Sequence, residues 1–400
     1  MAGLYIHIPF CKRACHYCNF HFSTSLAYKN DFIRALLNEI NLRKDYLEGE
    51  NIETIYFGGG TPSVLEIADL SQIIDSAHKY FSVDPEAEIT LEANPDDISS
   101  PTLRLWKDTG INRLSIGIQS FFDEDLHWMN RIHNADQALL SIEDAFQAGF
   151  SNISIDLIYG SPTTTDIHWE KNVEQAIRME IPHLSCYALT VEPKTPLNKM
   201  IRQHKKENID QDHQARQFLL LMDWMASAKY EHYEISNFAL PGRRSRHNSA
   251  YWHGKKYLGL GPSAHSYNGI TRQWNLSNNQ RYIQALAGNQ LSQFPFEIEL
   301  LTPVQRLNEI IMTSLRTSEG ISLDSISAQF GEAARQRVLS NAVQFMDSKK
   351  LVLEGISLRL SREGKLLADG IAADLFFNPE DAEIILSDDR FPDAVHGNSV

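Results

Sequence analysis

Residues 4–18 read LYIHIPFCKRACHYC, a short apolar run that leads directly into Cys11, Cys15 and Cys18. The apolar run has the length and composition of a buried strand. As far as Ala188, similar β-branched or aromatic runs alternate with longer stretches of helical period. That alternation is typical of βα units around a parallel sheet, so we expect the cysteines at the carboxyl end of the first strand.

Six such runs predict six strands, at residues 4–8, 54–57, 88–92, 113–118, 153–158 and 183–187. Six βα units predict an α/β fold with an open, partial (β/α)6 TIM-like barrel rather than a closed eightfold one. In parallel βα folds, ligands bind at the carboxyl ends of the strands. The residues that follow each run are therefore the candidate site.

The chain beyond the sixth strand predicts a second, mostly helical domain. Thr302, followed by Pro303 and then by Gln305, forms a capping box that starts a helix. The later segments have a winged-helix-like order, with helices at 323–329 and 332–346 and a hairpin at 351–360. The expected domains are a partial barrel at 1–240, a connecting segment of loops and strands at 241–300, a C-terminal helical domain at 301–377 and an acidic, loose tail at 378–400.

The charge of the chain excludes one class of partner. Lys and Arg total 37 against 51 Asp and Glu, a net charge of -14, so most of the surface repels a nucleic-acid backbone. No apolar stretch approaches the roughly 18 residues of a membrane span, and the apolar start lacks the cleavage site of a signal peptide. We expect a cytoplasmic protein without a nucleic-acid partner or a membrane span; peripheral membrane contact and the oligomeric state stay open.

The spacing Cys11-x3-Cys15-x2-Cys18 places three thiolates on one short loop. Three thiolates hold three irons of a [4Fe-4S] cube and leave the fourth iron open to a ligand. A zinc site is the alternative, with its fourth ligand drawn from His16, His21 or Cys186. The spacing favours iron and sulfur, because common zinc folds pair C-x2-C units. Cys186, inside the sixth predicted strand, is expected to be a buried structural thiol.

Residues 58–62, GGGTP, follow the second predicted strand, and Glu92 ends the third. Glycines let the backbone approach a ligand closely, Thr61 supplies a hydroxyl, and Glu92 offers a carboxylate to an ammonium group or a ribose diol. An ordinary tight turn is the alternative interpretation of the glycines. A P-loop is excluded, because no Gly-Lys-Ser/Thr sequence follows them.

Residues 5–18 resemble the start of radical S-adenosylmethionine (SAM) proteins. Within that superfamily, this stretch, the GGGTP loop and SIDLIYG at 154–160 are similar to the oxygen-independent coproporphyrinogen III oxidases and their HemW-type haem-chaperone relatives, over about residues 1–377. The resemblance implies a [4Fe-4S] cluster on the three cysteines. It also implies SAM on the open iron, where one electron from the cube breaks the sulfonium C–S bond.

The same resemblance implies the residues that contact SAM. Those for the cluster-bound molecule are Tyr5, Gly59 and Glu92. Those for a second SAM, as in the oxidases, are Tyr17, Gly60, Thr61, Gln119, Arg131, Asp156 and Ala188, and His265 aligns near another SAM contact. Whether one or two SAM molecules bind stays open.

Two departures from the oxidases argue against porphyrinogen decarboxylation. The oxidases have a fourth cysteine, in the pattern C-x3-C-x2-C-x-C, where this chain has Phe20. They also have a long extension before the first cysteine, where this chain has ten residues. Both departures predict a relative that does not carry out the oxidase reaction.

Residues 247–252, HNSAYW, fit the H-N-x-x-Y-W motif of the haem-chaperone branch. The motif predicts haem binding, with His247 as axial ligand and with Tyr251 and Trp252 against the porphyrin plane. The arginines expected to pair with propionates are Arg243, Arg244 and Arg246. A buried aromatic cluster around a hydrogen-bonded histidine is the alternative. The rival iron ligands are His253 and His265.

Together these features predict a haem chaperone that binds haem and transfers it to an acceptor protein. The alternatives are an oxygen-independent coproporphyrinogen III oxidase and a zinc-stabilised interaction protein. The sequence names neither the acceptor nor the electron donor, and it leaves open whether haem is attached covalently.

Overall fold

The computed structural model describes residues 2–287 and 296–386, and the chain divides into two compact units. The described residues of the first unit fall within 1–231, 236–250 and 255–299, and those of the second fall within 232–235, 251–254 and 300–386. Within the described residues, no helix is both long enough and apolar enough to cross a membrane.

Six parallel strands form the centre of the first unit, and all six predicted strands are confirmed. They are β1 (Ala2–Ile8), β2 (Ile52–Gly59), β3 (Val83–Ala93), β4 (Arg113–Gln119), β5 (Ile153–Tyr159) and β6 (His183–Ala188). The helices that accompany them are α1 (Lys29–Leu42), α2 (Ile67–Tyr80), α3 (Ser100–Asp108), α4 (Asp123–Met129), α5 (Ala135–Gln147), α6 (Asp166–Arg178), α7 (Pro196–Arg202) and α8 (Gln211–Ser227). Large apolar side chains with no exposed surface, such as Phe57 and Trp106, fill the space between sheet and helices.

The six strands lie in chain order, each parallel to the next, and they form an open sheet. The second neighbour of β1 is β9 (Lys256–Leu260), also parallel, and that of β6 is β8 (Asn237–Ala239), antiparallel. Because other strands occupy both edges, β1 and β6 do not close a ring. The predicted partial barrel is confirmed.

Residues 241–300, expected to be a connecting segment, contribute strands to this sheet. The elements from residue 231 onwards are β7 (Glu231–Glu234), β8, α9 (Arg246–Trp252), β9, β10 (His265–Tyr267), β11 (Thr271–Asn275), α10 (Asn279–Leu286) and β12 (Phe296–Leu300). The helix α9 replaces the loops and strands expected there. Its start is stabilised by Ser245, whose hydroxyl accepts the backbone N–H of Asn248 at 3.2 Å.

The second unit has the predicted winged-helix-like order. Its elements are α11 (Pro303–Leu315), β13 (Ile321–Ser322), α12 (Leu323–Phe330), α13 (Glu332–Asp347), β14 (Leu351–Glu354), β15 (Ser357–Leu360), α14 (Ala368–Asp374) and α15 (Ala382–Leu386). The predicted capping box is present, with the Thr302 side chain accepting the backbone N–H of Gln305. Leu307, Ile326 and Val338 are among the fully buried residues of this unit's core. The part of the expected tail beyond residue 386 lies outside the described residues.

Candidate cluster and cofactor site

The cysteine loop follows the carboxyl end of β1, as the sequence predicts. Cys11 is buried, whereas Cys15 and Cys18 are half-buried, and all three are free thiols. The backbone N–H of Cys11 donates to the Ser23 carbonyl at 3.0 Å, and the N–H of Ser23 donates to the Pro9 carbonyl at 2.9 Å. These two bonds bring the start and the end of the loop together.

The GGGTP loop is hydrogen-bonded directly to the cysteine loop. The N–H of Gly60 donates to the Ile8 carbonyl at 2.9 Å, and the N–H of Thr61 donates to the Phe10 carbonyl at 2.7 Å. The Thr61 hydroxyl donates to Cys11 Sγ at 3.4 Å. A Cβ atom at Gly60 would lie 2.6 Å from the Phe10 carbonyl oxygen, so only glycine permits this backbone approach.

The far side of the cysteine loop is held by segments that follow α4 and β6. The amide of Asn130 donates to the Ala14 carbonyl at 2.8 Å, and the N–H of Leu197, in the first turn of α7, donates to the His16 carbonyl at 2.8 Å. Asn130 adopts the left-handed conformation, with φ of 63°, which ends α4. These contacts were not predicted from the sequence, because neither residue carries a recognisable ligand motif.

Arg131 connects the cysteine loop with the interior of the sheet. Its Nη1 donates to Cys15 Sγ at 3.3 Å, and its Nη2 donates to Asn94 Oδ1 at 2.7 Å and to the Gly117 carbonyl at 2.8 Å. Its Nε is buried and has no hydrogen-bond partner among the described residues. A buried cation beside a cluster sulfur stabilises negative charge there, and the unused Nε is available to an anionic group of a ligand.

Two half-buried carboxyl groups, Glu92 and Asp156, belong to β3 and β5. Burial raises the pKa of Glu92 to about 7, although the Tyr56 hydroxyl donates to its Oε1 at 2.8 Å. Burial likewise raises the pKa of Asp156 to about 6. Both carboxylates would be stabilised by the cationic or hydroxylic groups of a bound ligand, and SAM offers an ammonium group and a ribose diol.

Tyr5 and His7, on the same face of β1, are joined by a hydrogen bond of 3.2 Å. His7 Nε2 donates to the His21 carbonyl at 2.9 Å, so its Nδ1 accepts the Tyr5 hydroxyl proton. Burial, together with the nearby His21 and His265, lowers the pKa of His7 to about 4, and the ring is neutral. The sequence singled out Tyr5 but not this histidine partner.

Of the other residues that the resemblance implies, Gln119 lies close to Arg131. Gln119 has a positive φ of 68°, and a Cβ at Gly117 would lie 3.1 Å from its Nε2 and 3.2 Å from Arg131 Nη2, so these two polar groups converge. Burial raises the pKa of Tyr17, which lies near Arg131 and Cys15. Ala188 ends β6 and pairs with Tyr159 in the sheet.

His247 is a buried, hydrogen-bonded side chain with only 2% of its surface exposed. Its Nδ1 lies 2.7 Å from Thr54 Oγ1, its ring stacks on Tyr56 at 4.9 Å, and its backbone N–H donates to Glu88 at 3.1 Å. Burial, aided by Arg113, lowers its pKa to about 3. This geometry matches the alternative interpretation of the motif more closely than an exposed iron ligand.

Among the remaining motif residues and arginines, Trp252, Arg244 and Arg246 already have protein partners. Tyr251 and Trp252 belong to the second unit, where the Arg316 guanidinium lies 5.3 Å from the Trp252 ring centroid. Arg244 pairs with Glu231 at 2.9 Å, and Arg246 donates to the Glu86 carbonyl at 2.7 Å.

Cys186 and His265 differ sharply in exposure. Cys186 is 1% exposed, and burial raises its pKa, which confirms the expected buried thiol. His265 is exposed and stacks on Trp274, with ring centroids 6.1 Å apart. Of these two residues, therefore, only His265 can be reached by a ligand in the described conformation.

Comparison with known proteins identifies the family. The model of the radical SAM superfamily matches residues 5–176, and that of the HemN C-terminal domain matches residues 301–367. A Bacillus subtilis (strain 168) protein named "Heme chaperone HemW" is 32% identical over 93% of this chain and 98% of the relative. This chain belongs to the HemW family of radical SAM proteins. An Escherichia coli (strain K12) relative of the same name is 30% identical over 86% of this chain and 93% of its own length.

A solved structure shows the same fold for most of the chain. Coproporphyrinogen III oxidase (HemN) from Escherichia coli superposes with a TM-score of 0.80 at 22% identity, over 94% of this chain and 90% of that protein. Membership of the radical SAM superfamily implies a [4Fe-4S] cluster and SAM rather than structural zinc. The residues present fit these groups. Three free thiols share one loop, and a cation and a hydroxyl donate to two of the sulfurs. After burial, the nearby Glu92 carboxyl contributes to the raised pKa of Cys18.

Proposed function

We propose that this HemW-family chain binds haem and transfers it to an acceptor protein in the cytoplasm. The observation that carries the proposal is the near full-length match to the Bacillus subtilis "Heme chaperone HemW", which covers 98% of that relative. Neither the acceptor nor the electron donor is identified by the match.

The residue after Asn19 supports a chaperone over an oxidase. Phe20 occupies the position of the oxidases' fourth cysteine and is 66% exposed. An exposed phenyl ring offers no ligand or proton to a reacting propionate. An exposed aromatic side chain beside the cluster loop suits contact with an apolar, planar molecule instead.

We further propose that the three cysteines hold the cluster and that Tyr5, Gly59 and Glu92 contact the SAM bound to it. The residues proposed for a second SAM are Tyr17, Gly60, Thr61, Gln119, Arg131, Asp156 and Ala188. The convergence of Gln119 and Arg131 supports an anionic and hydroxylic ligand there. The cluster supplies one electron to SAM when both are bound, and the protein residues orient SAM and exclude water.

The sequence motif and the geometry of the structure indicate different histidines as the ligand of the haem iron. The H-N-x-x-Y-W motif points to His247, whose ring is enclosed and hydrogen-bonded to Thr54. To ligate haem, this ring would have to leave its stacking position against Tyr56. Exposure favours His265 instead.

Two measurements on anaerobically reconstituted protein test the proposed function. Hemin titration is expected to give a saturable Soret change, and the bound haem is expected to move to excess apomyoglobin. An anaerobic assay with coproporphyrinogen III and SAM is expected to yield no protoporphyrinogen. Absence of hemin binding would overturn the proposal, and porphyrin product at steady turnover would replace it with the oxidase.

A further inference from the structure

The segment that contains α7 carries a concentration of positive charge in an otherwise acidic chain. Residues 194–206 include five Lys or Arg residues and no Asp or Glu, although the whole chain has a net charge of -14. Four of the five are exposed to solvent, namely Lys194, Lys199, Arg202 and Lys205. We call these four residues the basic patch.

The charge of the basic patch is not neutralised by the protein itself. In the part of the chain that the structure describes, none of its four residues forms an ion pair, and this includes pairs with Glu192 and Glu207, the nearest acidic residues in the sequence. All four cations line one cavity of about 980 Å³. Because like charges around one cavity repel each other, an anionic partner placed there would stabilise them.

The apolar residues of α7 attach the basic patch to the cysteine loop. Leu197 has no exposed surface and belongs to an apolar cluster against which Tyr17 packs. The backbone N–H of Leu197 donates to the His16 carbonyl at 2.8 Å. Since His16 and Tyr17 lie between Cys15 and Cys18 in the sequence, α7 and its part of the basic patch are neighbours of the proposed cluster.

The residues that follow α7 are fastened to the same region. Lys206 donates to the Trp128 carbonyl, and its Nζ lies 4.0 Å from the centroid of the Trp128 ring. The Trp128 carbonyl also accepts His16 Nδ1, at 3.2 Å. At the start of α7, the Thr195 hydroxyl accepts the backbone N–H of Asn198 at 3.2 Å. Because the segment is held at both ends, the basic patch is preorganised for a partner.

Two features favour a protein over a membrane as that partner. No large apolar side chain is exposed in residues 194–205, all of which the structure describes, whereas segments that bind at a membrane surface insert apolar side chains. The second feature is the position beside the cysteine loop. Each cleavage of SAM consumes one electron, so the site requires an external one-electron donor close to the cysteines.

We propose that the basic patch is the docking surface for an acidic one-electron carrier protein, which reduces the cluster from this side of the cysteine loop. The carrier is oxidised by one electron and the cube is reduced by the same electron, and no group is transferred. This inference rests on the cluster proposed for the three cysteines and does not depend on haem binding. Lysine and arginine charges accelerate the encounter with an acidic partner and orient it, and salt weakens both effects.

Binding of an acidic flavodoxin to the cluster-free chain tests the surface without any measurement of activity. The double variant Lys199→Glu/Arg202→Glu is expected to weaken this binding about tenfold or more. Added salt is expected to weaken binding to wild type. The matched control is Arg104→Glu/Lys171→Glu, which changes the net charge equally at two exposed positions of α3 and α6 and is expected to bind as wild type.

Reduction of the reconstituted cluster gives an independent measurement. At subsaturating concentrations, reduced flavodoxin is expected to reduce the cluster of Lys199→Glu/Arg202→Glu about tenfold more slowly than that of wild type. Dithionite is a small reductant that requires no docking surface, and it is expected to reduce both clusters at the same rate. Equal iron content and equal circular dichroism show that the variant retains its cluster and its fold.

The outcomes separate the docking surface from the cluster. If dithionite reduces no cluster in wild type, the proposed cluster and this docking role both fail. If the cluster is reduced but wild type binds no flavodoxin, or if the patch variant binds it as tightly as wild type does, the surface is wrong and the cluster stands. Equal weakening in the patch variant and the control would reduce the effect to net charge and overturn the proposal. Binding of anionic phosphatidylglycerol vesicles, but not of flavodoxin, through Lys199 and Arg202 would replace the carrier with a membrane.

Discussion

The Arg131 guanidinium Nη1 lies 3.3 Å from Cys15 Sγ, while its Nη2 is held by Asn94 and Gly117. This positive charge stabilises the more negative, reduced state of a cluster on that sulfur. Replacing it with the neutral Arg131→Gln is expected to lower the midpoint potential of the cluster by on the order of 50 mV or more, about 1 kcal/mol for one electron. Redox titration followed by EPR measures the shift. The exposed Arg104→Gln is the control, and equal potentials in all three proteins would contradict the assigned role.

Gly60→Ala tests the contact between the glycine and cysteine loops. The new methyl group would lie 2.6 Å from the Phe10 carbonyl oxygen and 2.8 Å from that of Ile8. Because both neighbours are backbone atoms, the loops must separate, at a cost of about 1–3 kcal/mol. We expect lower iron content after reconstitution and a lower Tm.

Gly370→Ala is the matched control for this substitution. Gly370 lies in α14 with no atom within 4 Å of the added Cβ. Alanine there is expected to raise the Tm slightly, since it favours the helix. An iron content that falls equally in both variants would show that the effect of Gly60→Ala is not specific.

Glu92 predicts a pH-dependent affinity for SAM. Its pKa of about 7 means that the carboxylate is mostly protonated at pH 6 and mostly ionised at pH 8. If SAM binds the ionised form, its affinity is expected to rise about tenfold between these pH values. Glu92→Gln is expected to weaken binding about tenfold or more and to flatten the profile. Anaerobic calorimetry measures both effects, with the exposed Glu124→Gln as control; a steep profile in Glu92→Gln would assign the titration to another group.

The Glu92 carboxyl group also predicts that the stability of the fold falls as the pH rises, whereas the affinity for SAM is expected to rise. Because its folded pKa lies above the usual 4.5, the folded state binds the extra proton, and stability is lost as the pH rises from about 4.5 to about 7. Protein without cluster or SAM is therefore expected to gain stability at pH 8 from Glu92→Gln. Denaturant unfolding at pH 5 and pH 8 measures the difference, and a gain at pH 5 alone would contradict it.

Cys186 and Cys15 are expected to respond differently to substitution. Cys186 is enclosed in β6 and its pKa is raised by burial, so Cys186→Ala is expected to lower the Tm while leaving iron content unchanged. Cys15→Ala is expected to abolish cluster assembly with little effect on the Tm of the apo protein. Iron and sulfide analysis of both variants distinguishes the roles, and a loss of iron in Cys186→Ala would make it a ligand.

The sequence predicted those parts of the site that depend on local pattern. The strand β1, the cysteine loop and Glu92 at the end of β3 follow from hydrophobic runs and from chain order in a parallel sheet. The contact of Leu197 with His16 could not be predicted, because it joins residues about 180 positions apart through backbone groups that every residue possesses.

The H-N-x-x-Y-W motif shows a second limit of prediction from a sequence pattern. A histidine between polar and aromatic residues has the same sequence whether it faces solvent or packs into a sheet. His247 of α9 lies against Thr54 and Tyr56 of β2, and only the tertiary structure brings α9 to these strands. Conversely, His265 and Trp274 form a pair only because β10 and β11 are antiparallel.

Each cysteine of the cluster loop lies after β1 ends, so no strand or helix of the barrel depends on an iron ligand for its own hydrogen bonds. Oxidative destruction of the cube would leave the sheet intact and the loop still fastened to its neighbours. A molecule stripped by oxygen would thus remain a folded receptor for repair, ready to accept new iron and sulfide without passing through the unfolded chain.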